Sequence, residues 1–203
     1  MAKKLVYDRV LFTTVVLLTG LGLVMVYSAS AAVARARGAA INPFLVKQAV
    51  AAAIGFVAMA VVMHLDYRKL RDRRVAYALV AGALMLLIAV LFSPQLNGTR
   101  RWFFVGGISV QPSELAKLAL IPFLAYWIDR HRGAINSRET LLPAATVTGV
   151  VAGLIVLQPD LGTAVLLALT AATMLFLAGL SWRFVAAGLG LALPVLYFLV
   201  ISV

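Results

Sequence analysis

Cysteine is absent from the 203 residues, which excludes disulfides and thiolate nucleophiles and says nothing further about redox compartment. Acid is scarce, with seven Asp and Glu against eighteen Lys and Arg. Charge of either sign makes up 12% of the chain, whereas soluble globular domains carry about 25%. What fills the space is apolar: 64% of residues are hydrophobic and the mean hydropathy is +1.03. Such a chain is an integral membrane protein. The net charge of +11 could point to nucleic acid, but the basic residues cluster in short loops between apolar runs, as membrane insertion requires, so nucleic acid is discounted. The first apolar run has no small-residue cleavage site followed by a polar region, and reads as a retained span.

The apolar runs predict an all-α, polytopic transmembrane helical bundle of seven spans, at about 10–33, 43–64, 75–92, 112–128, 141–158, 161–180 and 184–203, with 1–203 read as the N-terminal part of a single membrane domain. The run 141–180 decides one boundary. As one helix it would extend about 60 Å, twice a hydrocarbon core of about 30 Å, so it must hinge at Gln158-Pro159-Asp160-Leu161-Gly162-Thr163. Alternating spans put twelve Lys and Arg on the N-terminal side and five on the other, with Lys117 inside a span. By the positive-inside rule the N-terminus is cytoplasmic. The seventh span then ends outside and flush with the last residue, which suggests a fragment.

The longest break in this oily sequence is 97–117, where Arg100, Arg101 and Trp102 precede turn glycines and the helix start Gln111-Pro112-Ser113-Glu114. Pro112 suits a first helical turn, where its missing N–H costs nothing. Glu114 then meets the positive end of the helix dipole and can cap free N–H groups. Lys117 follows at i+3 on the same face, about 7–8 Å into the span. A charge within a span is a functional-site hypothesis whose natural partner is Glu114; equally, Lys117 could snorkel to the interface. Asp160 can cap the sixth span, or serve only an ordinary turn. Arg100 and Arg101 have a plain reading as interface anchors beside Trp102. With this topology Arg100, Arg101, Gln111, Glu114 and Asp160 gather near the outer face.

Three segments carry a resemblance: Asn-Gly-Thr-Arg-Arg-Trp (97–102), Gln-Pro-Ser-Glu-Leu-Ala-Lys (111–117) and Gln-Pro-Asp-Leu-Gly-Thr-Ala (158–164). With Gly-Leu-Val-Met-Val-Tyr-Ser-Ala-Ser (22–30), they are similar to the signature segments of the SEDS (FtsW/RodA/SpoVE) family of shape, elongation, division and sporulation proteins, and more to its division branch than to its elongation branch. The likeness runs the whole chain in order. Family members have about ten spans, so the chain resembles their first seven. The family's essential aspartate lies in a large outer loop beyond these, and no position in this sequence corresponds to it.

The resemblance implies a peptidoglycan glycosyltransferase that polymerises lipid II, an undecaprenyl-pyrophosphate disaccharide-pentapeptide, at the outer face of the bacterial cytoplasmic membrane during septal wall synthesis. The transfer needs a base for the acceptor hydroxyl and positive charge for the departing pyrophosphate. Glu114, Lys117 and Asp160 would take supporting catalytic roles, with Arg100, Arg101, Trp102, Gln111 and Ser113 binding substrate. A divalent cation on the pyrophosphate is plausible chemistry, but no ligand cluster argues it, and no cofactor is evident. The implied partners are a class B penicillin-binding protein and other division proteins. The fragment itself is expected to be inactive. A flippase of the same precursor, or a non-catalytic scaffold for a penicillin-binding protein, are the rival readings.

Overall fold

The computed structural model describes residues 8–36, 42–64, 66–95, 98–105, 108–188, 190, 194 and 197. They form α1 (Arg9–Ala36), α2 (Pro43–His64), the 3-10 turn Tyr67–Arg71, α3 (Arg73–Val90), the hairpin strands β1 (Phe103–Val105) and β2 (Ile108–Val110), α4 (Pro112–Arg130), α5 (Arg138–Val156) and α6 (Leu161–Leu177), followed by helical residues from Trp182 onward. The chain divides into two compact units, 1–67 and 68–203.

In the first unit α1 packs on α2. Asp8 Oδ1 caps α1, accepting from the N–H of Val10 at 2.8 Å and of Leu11 at 3.1 Å. Asn42 does the same for α2, with Phe44 N–H at 3.0 Å, while its Nδ2 donates to Ser30 Oγ at 2.6 Å. That bond ties the start of α2 back to the motif-bearing end of α1. No residue of α2 is buried, although the helix is almost wholly apolar. Such faces are stable against hydrocarbon rather than water.

The second unit holds the core. On α3 the buried side chains Ala76, Val80, Ala83, Leu87 and Val90 recur every three or four residues, one face of a helix. They meet Ala116, Ala119, Leu120 and Phe123 of α4, the most extensive helix contact of the unit. Ala144, Val151 and Ile155 of α5 and Ala164, Leu167 and Ala171 of α6 complete the same core. Small residues at these contacts let helix backbones approach, as packing within a membrane favours.

Among the described residues four helices are long and apolar enough to cross a membrane, counted over Arg9–Val33, Pro43–His64, Arg73–Val90 and Arg138–Val156; Leu161–Leu177 is apolar but shorter. The fourth expected span is a helix with the expected start, Pro112, but it carries Glu114, Lys117, Asp129 and Arg130 within its 19 residues. The hinge expected at 158–163 is present, since α5 stops at Val156 and α6 starts at Leu161. Most of the expected span 184–203 lies outside the described residues, as do the arm 1–7, Arg37 and Asn97; of that span, 184–188 continue a helix begun at Trp182.

The all-α expectation needs one correction. Stretch 97–117 is not only loop, because Phe103 pairs with Val110, Phe104 with Ser109 and Val105 with Ile108 in an antiparallel hairpin. Aromatic and β-branched residues either side of Gly106-Gly107 are a two-residue hairpin signal. The periodicity of the flanking spans masked it.

Candidate functional site

One end of the second unit gathers the end of α3, the hairpin, the start of α4, the end of α5 and the start of α6. Two side-chain bonds establish this. Gln111 Nε2 donates to Asp160 Oδ2 at 2.8 Å, joining residues 49 positions apart in two separate motif segments. Gln158 Nε2 donates to the Leu87 carbonyl at 3.2 Å.

Asp160 uses both carboxylate oxygens. Oδ1 accepts from the Thr163 N–H at 3.2 Å, the expected cap on α6, while Oδ2 holds Gln111. The turn reading and the cap reading are thus compatible, and a third partner is added. Glu114 departs from expectation in one respect. Its carboxylate does not fold back on the first N–H groups of α4; Oε1 accepts from Lys117 Nζ at 2.8 Å, and the N-cap residue Gln111 makes no side-chain cap bond. The Glu114 side chain is 57% exposed and that of Lys117 25%. The pair presents an accessible carboxylate and a partly sheltered ammonium on one face of the helix.

The arginines are used differently from one another. Arg100 Nη1 donates to the Leu91 carbonyl at 2.8 Å, so its guanidinium sits at the carbonyl end of α3, where a cation is favoured by the dipole. Its remaining N–H groups stay on an exposed side chain. Arg101 is half-buried with a buried, unpartnered Nε, and Trp102 is half-buried beside it. Among the described residues no hydrogen bond or ion pair ties Arg100 or Arg101 to Glu114, Lys117 or Asp160. Ser113 is wholly buried, its hydroxyl without a partner. It therefore lies inside the packed unit and not on its surface.

Gln158 entered the sequence reading as the start of the hinge and of a family segment, but not as a site residue. It is 1% exposed and ends the α3 ladder: the Leu91 N–H turns to Ile88 O at 3.1 Å, which frees the Leu87 carbonyl for the glutamine amide. Its Oε1, like Ser93 Oγ and Ser113 Oγ, is buried and unpartnered. A polar amide inside an apolar run, next to a proline, is the signal that could have found it. Among the described residues no three His, Asp or Glu side chains come together as a group that could hold a metal ion.

The opposite end of the unit is basic. Arg71 Nη2 meets Asp129 Oδ2 at 2.9 Å, and Arg132 pairs with the other oxygen. The hydrogen bond from Arg71 holds the Asp129 carboxyl below its ordinary value; partial desolvation opposes this and the charge of Arg132 adds to it.

The model of the FtsW/RodA/SpoVE family, described as "Cell cycle protein", matches residues 8–203. The chain belongs to this family. It is 41% identical over 202 residues to the "Probable peptidoglycan glycosyltransferase FtsW" of Geobacter sulfurreducens, covering 97% of this chain and 53% of that protein. The protein of the same name in Bacillus subtilis is 33% identical over 188 residues, covering 90% and 47%. The fold is similar to the crystal structure of the Thermus thermophilus rod shape determining protein RodA, with TM-score 0.75 and 33% identity over 98% of this chain and 60% of that one. It is also similar to a chain of a structure described as "Structural coordination of polymerization and crosslinking by a peptidoglycan synthase complex", with TM-score 0.78 and 34% identity over 94% and 53%. The chain spans about half the length of the curated relatives it matches. Of the FtsW/RodA/SpoVE segments read from the sequence, the described residues 98–102, together with 111–117 and 158–164, lie at the end of the second unit that holds the Gln111–Asp160 bond.

Proposed function

We propose that the chain is part of a peptidoglycan glycosyltransferase that polymerises lipid II at the outer face of the cytoplasmic membrane, in septal wall synthesis. The single observation that carries this is the Gln111–Asp160 bond, which holds two family segments together beside the accessible Glu114–Lys117 pair, in a chain similar to proteins named for that activity.

In this reading the site end faces outward and the Arg71–Asp129 end faces the cytoplasm, in a seven-span arrangement with the N-terminus inside. The twelve-to-five split of basic residues supports that orientation. Glu114 and Lys117 orient a substrate group, or the acceptor's catalytic base when that base comes from elsewhere in the protein. Asp160, with both oxygens engaged, holds α6 against the start of α4 and takes no proton from substrate. The free N–H groups of Arg100 offer charge to pyrophosphate oxygens, with Trp102 at the headgroup level. Gln111 bridges to Asp160, and Ser113, wholly buried, supports the start of α4 from within the packed unit. A class B penicillin-binding protein is the proposed partner, in keeping with the polymerisation and crosslinking named for the similar complex.

The test uses labelled lipid II in liposomes. Full-length protein is expected to give glycan ladders on gels. Movement of lipid II between leaflets without ladders would make the protein a flippase, and neither result would leave a scaffold. Residues 1–203 alone are expected to insert and give no ladder.

A further inference from the structure

Between α4 and α6 runs a cleft of about 220 Å³. Its floor is Leu120, Leu124 and Leu167, each at most 3% exposed, and its lips are Ile121 and Leu166, 42% and 50% exposed. Thr170 completes the lining, its hydroxyl donating to the Leu166 carbonyl at 2.8 Å. Lys117 is the one charged side chain of the lining. The Gln111–Asp160 bond sets α4 and α6 running the same way from one end, so Lys117 and Leu166 lie at similar depth and the cleft continues inward from them. Seven residues from Lys117 to Leu124 span about 10 Å. A cavity of about 150 Å³ holds a benzene ring, so this one takes roughly nine carbons, close to two isoprene units.

A second cleft, of about 300 Å³ between α3 and α4, is lined by Ala78, Gly82, Leu86, Leu118 and their neighbours, with no charged side chain. The difference between the two clefts is the cation at one end.

We propose that the α4–α6 cleft binds the head-proximal isoprenes of a phosphorylated polyprenyl lipid, with Lys117 exchanging its Glu114 partner for a phosphate oxygen. Charge complementarity selects this occupant: an apolar cleft at span depth, open on its side and ending in an ammonium near the helix start, matches a branched chain joined to an anionic head. Exchange needs no new desolvation of Lys117, because one oxyanion replaces another. The inference rests on the lipid-linked substrate proposed above.

The test is photo-crosslinking of full-length protein in nanodiscs, with a short polyprenyl monophosphate carrying a diazirine on its first isoprene. Label is expected within 117–124 and 166–170. Unlabelled polyprenyl phosphate should compete about tenfold better than the uncharged polyprenol, since a charge-assisted contact is lost in the latter. Thr170→Phe, which overfills the cleft, should cut labelling about fivefold, and Gly82→Phe in the uncharged cleft should change it less than about twofold. Label spread equally over 78–86, equal competition by polyprenol, or labelling insensitive to Thr170→Phe overturns the proposal; the competition arm uses the unaltered protein and so survives a variant that does not fold. Lipid II polymerisation is measured on the same preparations. Ladders without cleft labelling remove the cleft and leave the polymerase, while cleft labelling without ladders does the reverse.

Discussion

Glu114 and Lys117 are bonded at 2.8 Å, but a pair with one member 57% exposed adds little to stability, at most about 1 kcal/mol for such surface ion pairs. Their value lies in what they present to substrate. Glu114→Gln and Lys117→Met should each lower lipid II polymerisation by full-length protein about tenfold, or ~1.4 kcal/mol of barrier, with the double variant little worse than either single one. Losses that multiply would make the two residues independent. Asp129 gives a second prediction. Its carboxyl is held below the ordinary value, chiefly by Arg71, so the folded form binds its proton less readily than the unfolded one. The contribution is therefore complete above the unfolded pKa, near 3.9, and is lost as pH falls through the lower folded value. Arg71→Met should lower Tm at pH 6, with the gap to the unaltered protein closing as pH falls through the lowered folded value of Asp129. A gap of constant size would show that Arg71 acts by packing and not by charge.

At the scale of elements, the end of α3 explains why the site holds together. A helix leaves its last carbonyls unpaired. Here Leu87 O takes Gln158 Nε2 and Leu91 O takes Arg100 Nη1. One donor comes from the end of α5 and the other from the segment that leads into the hairpin, so the cap on α3 also fixes where both family segments begin. Gln158→Leu should destabilise the protein by about 1–2 kcal/mol, because the Leu87 carbonyl is left buried without its donor while the orphaned Oε1 is removed with it. Gln158→Glu at neutral pH should cost more, since it sets a buried carboxylate against a carbonyl end. Thermal unfolding in detergent, followed by a fluorescent reporter, ranks the two. A glutamate variant as stable as the native protein would mean that this position is wet.

For the whole molecule the question is which end faces out. Within the second unit Arg71, Arg130 and Arg132 lie at one end, and the family segments 98–102, 111–117 and 158–164 lie at the other. Cysteines introduced at Lys69 and at exposed Ser109, in a chain with none of its own, should label from opposite sides of intact spheroplasts, Ser109→Cys from outside. Labelling of both from one side would invert or abolish the proposed orientation. The Thermus RodA likeness covers 60% of that chain, so the effects of Glu114→Gln and Lys117→Met are read on full-length protein.

Much of this was legible in the amino-acid order alone. Composition alone made the chain a membrane protein, because 64% hydrophobic residues cannot be hidden in a core of this size. The start of α4 at Pro112, the hinge before Leu161 and the i+3 pairing of Glu114 with Lys117 followed from local rules, since proline, capping side chains and helical period act over a few residues. The hairpin was legible too, in Gly-Gly between β-formers, but lost to the stronger signal of the spans. What only the tertiary structure decided acts across distance. Local spacing cannot say that Gln111 reaches Asp160, that Arg100 ends α3 instead of standing free, that Ser113 is wholly buried, or that Gln158 caps a helix 71 residues away. Each depends on which helix faces which, and that is set by the summed fit of alanine and leucine faces along α3 to α6, a property of the packed unit that no single segment carries.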